Sequence, residues 1–517
     1  MFTEAVVRHR AGENMQAEAL YRAVIALNAM AAQAAYNLGL LQQGQRRFED
    51  AVVTYRHAVA INPDHHDAYS NMAVALQELG RLDEAVEVYR AVIASKPDFA
   101  MAICNLGVTL RAQGKLTESV DAYQQALAIK PDYDWALVNL GAVLLDQGDT
   151  DSAIAACRRA VYIRPDMVNA WFNLASACKA ACRLPEAEAA LRRTIALQPD
   201  FAEAHFTLGQ VLLAQGKLAE GWTEYDWRWK LQQYAWLRHT HGDFAQPRWA
   251  GESLADKTIL IYAEQGLGDA IQYVRYIPRI VALAGHVLFA VHPPLMALFE
   301  GLTGVTLIAL NAAVLPPFDV HCPLLSLPRV CGTTLDNVPS PGRYIHARPE
   351  DERRWHPRLD MRRLRVGIVW AGNPAQVGDR FRSPRLDAVR PLFEIAGIQF
   401  VILQLGAGRE DLDSIALPAR LLDLGAEIEN FTDTAAILTG LDLVISSCTA
   451  PLHLAGAMGV PVWGMIPYSP HFPWLLGRAD SPWYPSLRLY RQGSYGSDWN
   501  SVTERIFTDL AALVAMP

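Results

Sequence analysis

Through about residue 222, the apolar positions keep a helical rhythm that restarts every 34 residues. Pro63, Pro97, Pro131, Pro165 and Pro199 recur at that interval, each followed by Asp. In the same register a large apolar residue returns at Leu38, Met72, Leu106, Leu140, Leu174 and Leu208. The next position is always small: Gly39, Ala73, Gly107, Gly141, Ala175 and Gly209. A small residue lets a neighbouring helix approach closely. A second helix is marked by Ala51, Ala85, Ser119, Ala153, Ala187 and Gly221, with Tyr55, Tyr89, Tyr123 and Tyr225 four residues on, along the same face. A period of this length predicts stacked helical hairpins: five full repeats over 34–201, a degenerate one before them and a partial one after, making a solenoid over 1–230.

Beyond a linker at 231–255 the rhythm changes. Continuous apolar runs at Lys257–Ala263, His286–Val291, Val305–Leu310, Leu364–Trp370, Phe400–Leu405, Leu443–Ser447 and Val460–Met465 predict buried parallel strands. Amphipathic stretches between them, including one running to Ile280, one over 385–397 and one over 431–440, predict helices. This alternation implies doubly wound parallel sheets. The Arg- and Glu-rich stretch 346–362 separates two groups of strands, so the expected organisation is two Rossmann-like lobes, 256–345 and 362–517. The last helix, about 499–515, is expected to pack back across both.

The repeat columns resemble the tetratricopeptide repeat (TPR) consensus, which implies an α-helical superhelix that binds a partner, usually a peptide. One further column sits at Asn37, Asn71, Asn105, Asn139 and Asn173, with Thr207 in the sixth place. Each precedes the core apolar residue by one, a rotation of about 100° toward the expected concave side. Such a row of amides can pair with the backbone of an extended acceptor peptide without reading its side chains. The alternative is that each Asn is satisfied inside its own repeat. The column resembles the asparagine ladder of O-linked N-acetylglucosamine transferases.

Composition narrows the classes. The 517 residues carry a net charge of −8, a mean hydropathy of +0.07 and 19% charged residues, which excludes a largely disordered chain. Up to Lys230 there are 22 Lys and Arg against 27 Asp and Glu, and beyond it 24 against 27. Neither part has the positive excess that binding a phosphate backbone requires, so nucleic acid is not an expected partner. Seven scattered cysteines with no C-x-x-C pair or zinc spacing read as reduced thiols. The N-terminus lacks the apolar core of a signal peptide, and no stretch is long enough to span a membrane, so a cytoplasmic location is expected.

Three turns after predicted strands carry candidate chemistry. Gly266-Leu267-Gly268-Asp269 opens a helix with an acid that is either an N-terminal cap or a base. Ser446-Ser447-Cys448-Thr449-Ala450 leads into a helix whose backbone N–H groups, with the Thr449 hydroxyl and His453 one turn in, suit a phosphate. Asn373, Arg380 and Arg382 lie in a loop suited to a diphosphate or phosphate leaving group, although the arginines alone also read as surface ion pairs. The aromatic run Tyr468–Trp474 reads as core packing or as a cover over a sugar.

Taken in order, Gly268-Asp269, Thr449 and His453-Leu454-Ala455-Gly456-Ala457 resemble the heptosyltransferases of glycosyltransferase family 9. The resemblance covers about 256–490. The fusion to repeats is similar to bacterial relatives of the O-linked N-acetylglucosamine transferases and to TPR-linked flagellin glycosyltransferases. It implies a GT-B fold, with 256–345 on the acceptor side and 362–517 on the nucleotide-sugar side. It also implies inverting transfer from a nucleotide-sugar donor to a protein acceptor such as flagellin, with no cofactor and no metal. By that resemblance Asp269 is the general base, and Thr449, the adjacent backbone and His453 form the donor-phosphate site. With the readings of the turns themselves, the candidate catalytic residues are Asp269 and His453, and the candidate donor-binding residues are Gly266, Gly268, Asn373, Arg380, Arg382, Cys448, Thr449 and Ala450. Asn37, Asn71, Asn105, Asn139 and Asn173 hold the acceptor. One departure stands out: Cys448 occupies the position where the heptosyltransferases have Asp. A donor bearing its own carboxylate, such as a CMP-linked nonulosonic acid, would be repelled by Asp and tolerated by Cys; the alternative is that Cys448 only packs. The alternatives are a lipopolysaccharide or capsule glycosyltransferase, and a catalytically silent peptide-binding scaffold.

Overall fold

The computed structural model describes residues 1–27, 31–232, 244–340, 342–375, 379–414, 421–495 and 498–515. The chain forms two compact units, Met1–Cys178 and Lys179–Pro517.

The first unit is a stack of helices packed in consecutive pairs, from Phe2–Arg10 with Asn14–Ala26 to Asp134–Gln147 with Thr150–Ile163. The reason for the 34-residue columns is steric. A Cβ on Gly107 would lie 2.7 Å from the Tyr123 ring, and one on Gly39 would run into Tyr55. Tyr55, Tyr89 and Tyr123 are fully buried, so the small residue on one helix makes the space that the ring on the next helix fills. Where the fourth repeat has Cys157 in place of the tyrosine, that thiol lies against Gly141. The turn between paired helices needs left-handed backbone: Gly114 has φ +76°. Arg46 and Cys182 adopt φ +60° and +56° at the equivalent place without being glycine.

Hairpins continue in the second unit through Leu184–Leu197, Ala202–Ala214 and Leu218–Tyr225 to a 3-10 turn, Asp226–Lys230. Helices therefore persist to the end of the expected 1–230 solenoid, while the division between compact units falls at Cys178. The cause is burial: Leu213, Leu218, Trp222 and Tyr225 join the core of the sheets that follow.

Two all-parallel sheets follow. The first contains β1 (Thr258–Tyr262), β2 (His286–Val291), β3 (Val305–Ala309) and β4 (Val320–Pro323), in the order β3-β2-β1-β4. The second contains β5 (Leu364–Val369), β6 (Ile398–Ile402), β7 (Leu421–Asp423), β8 (Leu443–Ser447), β9 (Val462–Ile466) and β10 (Leu487–Arg491), in the order β10-β9-β8-β5-β6-β7. Both faces of each sheet are covered, which explains the unbroken apolar runs. Ile259, Ile261, Val287 and Phe289 of the first sheet share one core with Val401, Val444, Val462 and Ile466 of the second. Leu260, Tyr262 and Leu288 face the other way, as do Val366, Ile368 and Ile445 of the second sheet.

Several expectations are corrected. The stretch to Ile280 is not one helix but Leu267–Tyr273, a 3-10 turn Val274–Tyr276 and Ile277–Val281, because Pro278 has no N–H to donate to the preceding turn. Pro391 likewise ends the helix expected over 385–397 at Arg385–Val389, and a 3-10 turn follows. The final helix, Asn500–Ala515, does not bridge the lobes with its buried face: Val502, Ile506 and Leu510 pack into the outer core of the second sheet. Strands β4 and β7 carry no mark in the sequence because runs of four and three residues hold too little periodicity. Strand β10, Leu-Arg-Leu-Tyr-Arg at a sheet edge, has no unbroken apolar run to mark it. The lobes are joined by Arg275, whose guanidinium donates to Trp483 O (2.6 Å), Pro339 O (3.0 Å) and the Tyr344 hydroxyl (2.7 Å).

Two glycine substitutions separate backbone strain from crowding. Gly114→Ala meets open space and is expected to destabilise by about 1–2 kcal/mol through its left-handed φ alone. Gly107→Ala collides with Tyr123 and is expected to cost about 1–3 kcal/mol or more by overpacking. Denaturant melts of both variants, with Gly107→Ala/Tyr123→Leu as a partial rescue, check the assignment.

Candidate active site at the sheet switch points

In parallel sheets the crevice outside the carboxyl ends of the strands opens where the strand order reverses. Those points are β1/β4 in the first sheet and β5/β8 in the second. The three turns marked in the sequence follow β1, β5 and β8.

After β1 comes Glu264, buried with Arg228. Arg228 Nη2 donates to Glu264 Oε1 at 2.7 Å and to Ser326 Oγ at 2.9 Å, and the Leu325 N–H donates to the same carboxylate oxygen at 3.2 Å. Asp226 completes the cluster, meeting Arg228 at 2.7 Å, Arg329 at 2.7 Å and Arg248 at 3.2 Å. Gln265 is held by the Tyr225 hydroxyl at 3.0 Å, and its carbonyl meets His292 Nε2 at 2.6 Å. The turn that presents Asp269 is therefore braced on both sides.

Asp269 is half-buried. Its Oδ2 accepts from the Gly266 N–H at 3.1 Å, a capping interaction that engages one carboxylate oxygen. Burial pushes its carboxyl up to about 7, and the nearby Glu264 charge pushes in the same direction. The Gly266 N–H, Arg228 and Arg382 pull the other way without cancelling it. A carboxyl that titrates near neutrality is suited to taking up and releasing a proton.

The β1 and β8 turns touch. A Cβ on Gly268 would lie 2.9 Å from His453 Cδ2 and 3.6 Å from Ala450 Cα, so glycine is what allows the approach. Thr449 is the residue before helix Ala450–Ala457, but its hydroxyl donates to Ser447 O at 3.2 Å and does not cap the helix. His453 is buried, with Nδ1 3.0 Å from the Tyr484 hydroxyl. Burial lowers its pKa to about 3, with the neighbouring His471 and Arg275 adding to the effect. The imidazole is therefore neutral at pH 7, a hydrogen-bonding group and not a cation. The Cys448 thiol accepts from Trp474 Nε1 at 2.9 Å, and burial pushes its pKa up.

From the β5 turn, Arg382 reaches the same place. Its Nε pairs with Asp379 at 2.9 Å, and Nη1 donates to Cys448 O at 3.4 Å. A Cβ on Gly372 would lie 2.7 Å from the Arg382 guanidinium and 3.1 Å from Thr449 Cγ2. The Arg382 charge acts on Asp269, Cys448 and His471. Asn373 is exposed and shapes its turn by accepting from the Ala375 N–H at 3.0 Å. Gly266 is exposed at the site's edge. The Arg380 side chain lies outside the described residues.

Gly268, Asp269, Arg382, Cys448, Thr449, Ala450 and His453 thus gather in one crevice. His471 and Trp474, read mainly as packing, border it too: His453 and Trp474 have ring centroids 5.0 Å apart. No spacing in the chain linked Glu264 to Arg228 or Cys448 to Trp474. Among the described residues, no group of three or more His, Cys, Asp or Glu side chains is disposed to hold a metal ion.

In the first unit, the asparagine column connects successive repeats. Asn71 Nδ2 donates to the Tyr36 hydroxyl at 3.1 Å and Asn173 Nδ2 to Val138 O at 3.3 Å, each in the repeat before. Asn105 and Asn139 interact with Tyr89 and Cys104, and Asn37 accepts from Gln33 at 3.2 Å. All five are half-buried.

Tetratricopeptide repeat models match residues 2–66, 40–102, 109–148 and 144–205, so this part of the chain consists of such repeats. Protein FlbA of Caulobacter vibrioides is 28% identical over 333 residues, covering 59% of this chain and 54% of that protein, so the match spans about half of the relative's length. Among solved structures, the APC/C hetero-tetramer Cut9–Hcn1 has a TM-score of 0.38 at 16% identity, over 44% of this chain and 45% of that one. The thermophilic TPR protein TTC0263 of Thermus thermophilus has a TM-score of 0.31 at 23% identity, over 35% and 100%. Among the described residues no helix is long and apolar enough to cross a membrane.

The raised Asp269 pKa has a consequence for stability. The folded state holds this proton to about pH 7 while the unfolded chain releases it near 3.8, so stability falls as pH rises between those values. The loss reaches at most about 4 kcal/mol. Asp269→Asn is expected to remove that slope and to be the more stable protein at pH 8, as read by urea melts across pH.

Proposed function

We propose that this chain is an inverting glycosyltransferase of the GT-B type that moves a sugar from a nucleotide donor to a polypeptide held by its repeats. The reading rests on one juxtaposition: the Gly268-Asp269 turn of the first sheet packed against Ala450 and His453 of the second. Asp269, with one oxygen capping the helix, uses the other to take the proton of an acceptor hydroxyl. The acceptor oxygen attacks the anomeric carbon, and the bond from that carbon to the nucleotide phosphate breaks. The departing phosphate is met by the helix N-terminus at Ala450, the Thr449 hydroxyl and Arg382, so the negative charge needs no metal. Neutral His453 contributes Nε2 as a hydrogen-bonding group.

On the acceptor side, each asparagine amide that spends one N–H on the preceding repeat retains a second N–H and carbonyl lone pairs for a peptide backbone. Flagellin is the acceptor suggested by the resemblance to TPR-linked flagellin glycosyltransferases. On the donor side, a neutral thiol at Cys448 in place of a carboxylate favours a sugar that carries its own negative charge, and a CMP-linked nonulosonic acid fits that chemistry.

Transfer is expected to rise with pH through about 7 as Asp269 ionises, and Asp269→Asn to lower kcat by about 10²–10⁴. CMP is expected to raise the melting temperature more than UDP, GDP or ADP. Unchanged transfer by Asp269→Asn, measured by mass spectrometry of the acceptor, rejects the base. Replacing Asn71, Asn105 and Asn139 together by Ala is expected to raise the acceptor KM at least tenfold with kcat retained. Circular dichroism checks that the inter-repeat bonds of these residues are not the cause.

A further inference from the structure

Beside the crevice, within the second unit, lies a partly open cavity of about 70 Å³. At roughly 30 Å³ per water this is room for about two waters, or for one small polar group on a short stem. Its polar lining is Lys179, Gln210, Ser469 and His471, and its apolar wall includes Val211 and Phe472. The walls are laced together by hydrogen bonds: Ser469 Oγ donates to Lys179 O (3.2 Å), the Tyr468 hydroxyl to Ala181 O (3.3 Å) and the Cys182 thiol to Tyr468 O (3.1 Å). The cavity is therefore preformed. It adjoins the candidate active site through His471, which feels both Lys179 on one side and Arg382 on the other.

Lys179 is the anomaly. Its ammonium donates to Gln210 Oε1, a neutral amide, and among the described residues no carboxylate pairs with it. Burial alone lowers its pKa to about 8. The other titratable groups lining the cavity give it no counter-charge: His471 is lowered to about 4 and is neutral, and the Cys182 thiol is raised to about 11 and is also neutral. Lys179 is half-buried, and a partly desolvated ammonium with no anion is costly unless something else supplies the negative charge. One cation, one neutral imidazole and an apolar wall match a monoanion on a carbon stem. They do not match a phosphate dianion, which calls for more donors.

We propose that this cavity is a substrate subsite that binds a carboxylate group through Lys179. It rests on the glycosyltransferase reading for its two possible sources: the carboxylate of an acidic donor sugar, or an acidic side chain next to the modified residue of the acceptor. Binding is measured without turnover, so failure here is distinguishable from failure of the transferase reading.

The test uses saturation-transfer NMR on the full chain with N-acetylneuraminic acid, its methyl ester, N-acetyl-glutamate amide, N-acetyl-glutamine amide and inorganic phosphate. At least one of the two carboxylates is expected to bind, and the one that does identifies the source. The ester and the glutamine analogue are expected to bind at least tenfold more weakly. Lys179→Met is expected to lose binding at least tenfold, and Ala214→Leu, which fills the cavity while keeping the ammonium, to weaken it similarly. Because the bound form needs protonated Lys179, affinity is expected to hold from pH 6 to about 8 and then to fall about tenfold per pH unit. No carboxylate binding by the wild type, full binding by a folded Lys179→Met, equal binding of ester and acid, or phosphate bound more tightly than either carboxylate would each overturn the proposal.

Discussion

Arg228 is fully buried, and its guanidinium is divided between Glu264, Asp226 and Ser326. Few arrangements are so demanding, because taking two opposite charges out of water costs several kcal/mol per ion and only close geometry with further hydrogen bonds offsets it. The Leu325 N–H and the Ser326 hydroxyl supply such bonds, and Arg248 and Arg329 add ion pairs to Asp226. With either partner missing, the other would remain as an uncompensated buried charge. The pair therefore fastens the end of the last helical repeat to the carboxyl end of β1, two residues before the turn that carries Asp269. The position of the candidate base depends on it.

Burial around this anchor also sets the electrostatics of the crevice. Protein packed around Asp269, His453 and His471 disfavours their charged forms, so the acid rises toward neutrality while both imidazoles fall well below it. Arg382, itself steadied by Asp379, is a fixed positive charge that acts on both Asp269 and His471. A titrating carboxyl, neutral imidazoles and a well-held guanidinium thus share one crevice. The same desolvation leaves Lys179 uncompensated at the neighbouring cavity. Both features follow from a crevice that is lined by protein on most sides and is narrow enough for glycine at 268 and 372 to be required.

The repeats obey a simpler rule. Small residues and tyrosines alternate between helices because each ring fills the space its partner leaves, and the asparagine column adds a hydrogen bond from one repeat to the next. Nothing in this arrangement is specific to one occupant, and a scaffold of such repeats is suited to peptide binding.

How much was legible in the residues follows from the range of each interaction. Helical hairpins, the 34-residue period, and the strands from β1 to β9 with long apolar runs are local patterns. Period 3.6 and continuous β-branched runs declare themselves within a dozen residues. Three turns at strand ends were visible for the same reason, since Gly, Asp and Thr at a helix start are local chemistry. Where Pro278 and Pro391 interrupt helices, the signal was present in the chain but outweighed by amphipathicity. The short strands β4 and β7 lacked the length to show. The amino-acid sequence by itself determined a chain of tetratricopeptide repeats followed by parallel strands, with the residues able to carry chemistry set at strand ends. Only the tertiary structure decided that Arg228 meets Glu264, that Gly268 admits His453, that Trp474 faces Cys448, and that the last hairpins pack with the sheets. These are contacts between residues tens to hundreds of positions apart, and desolvation, which sets the charges of the site, exists only once those contacts have closed.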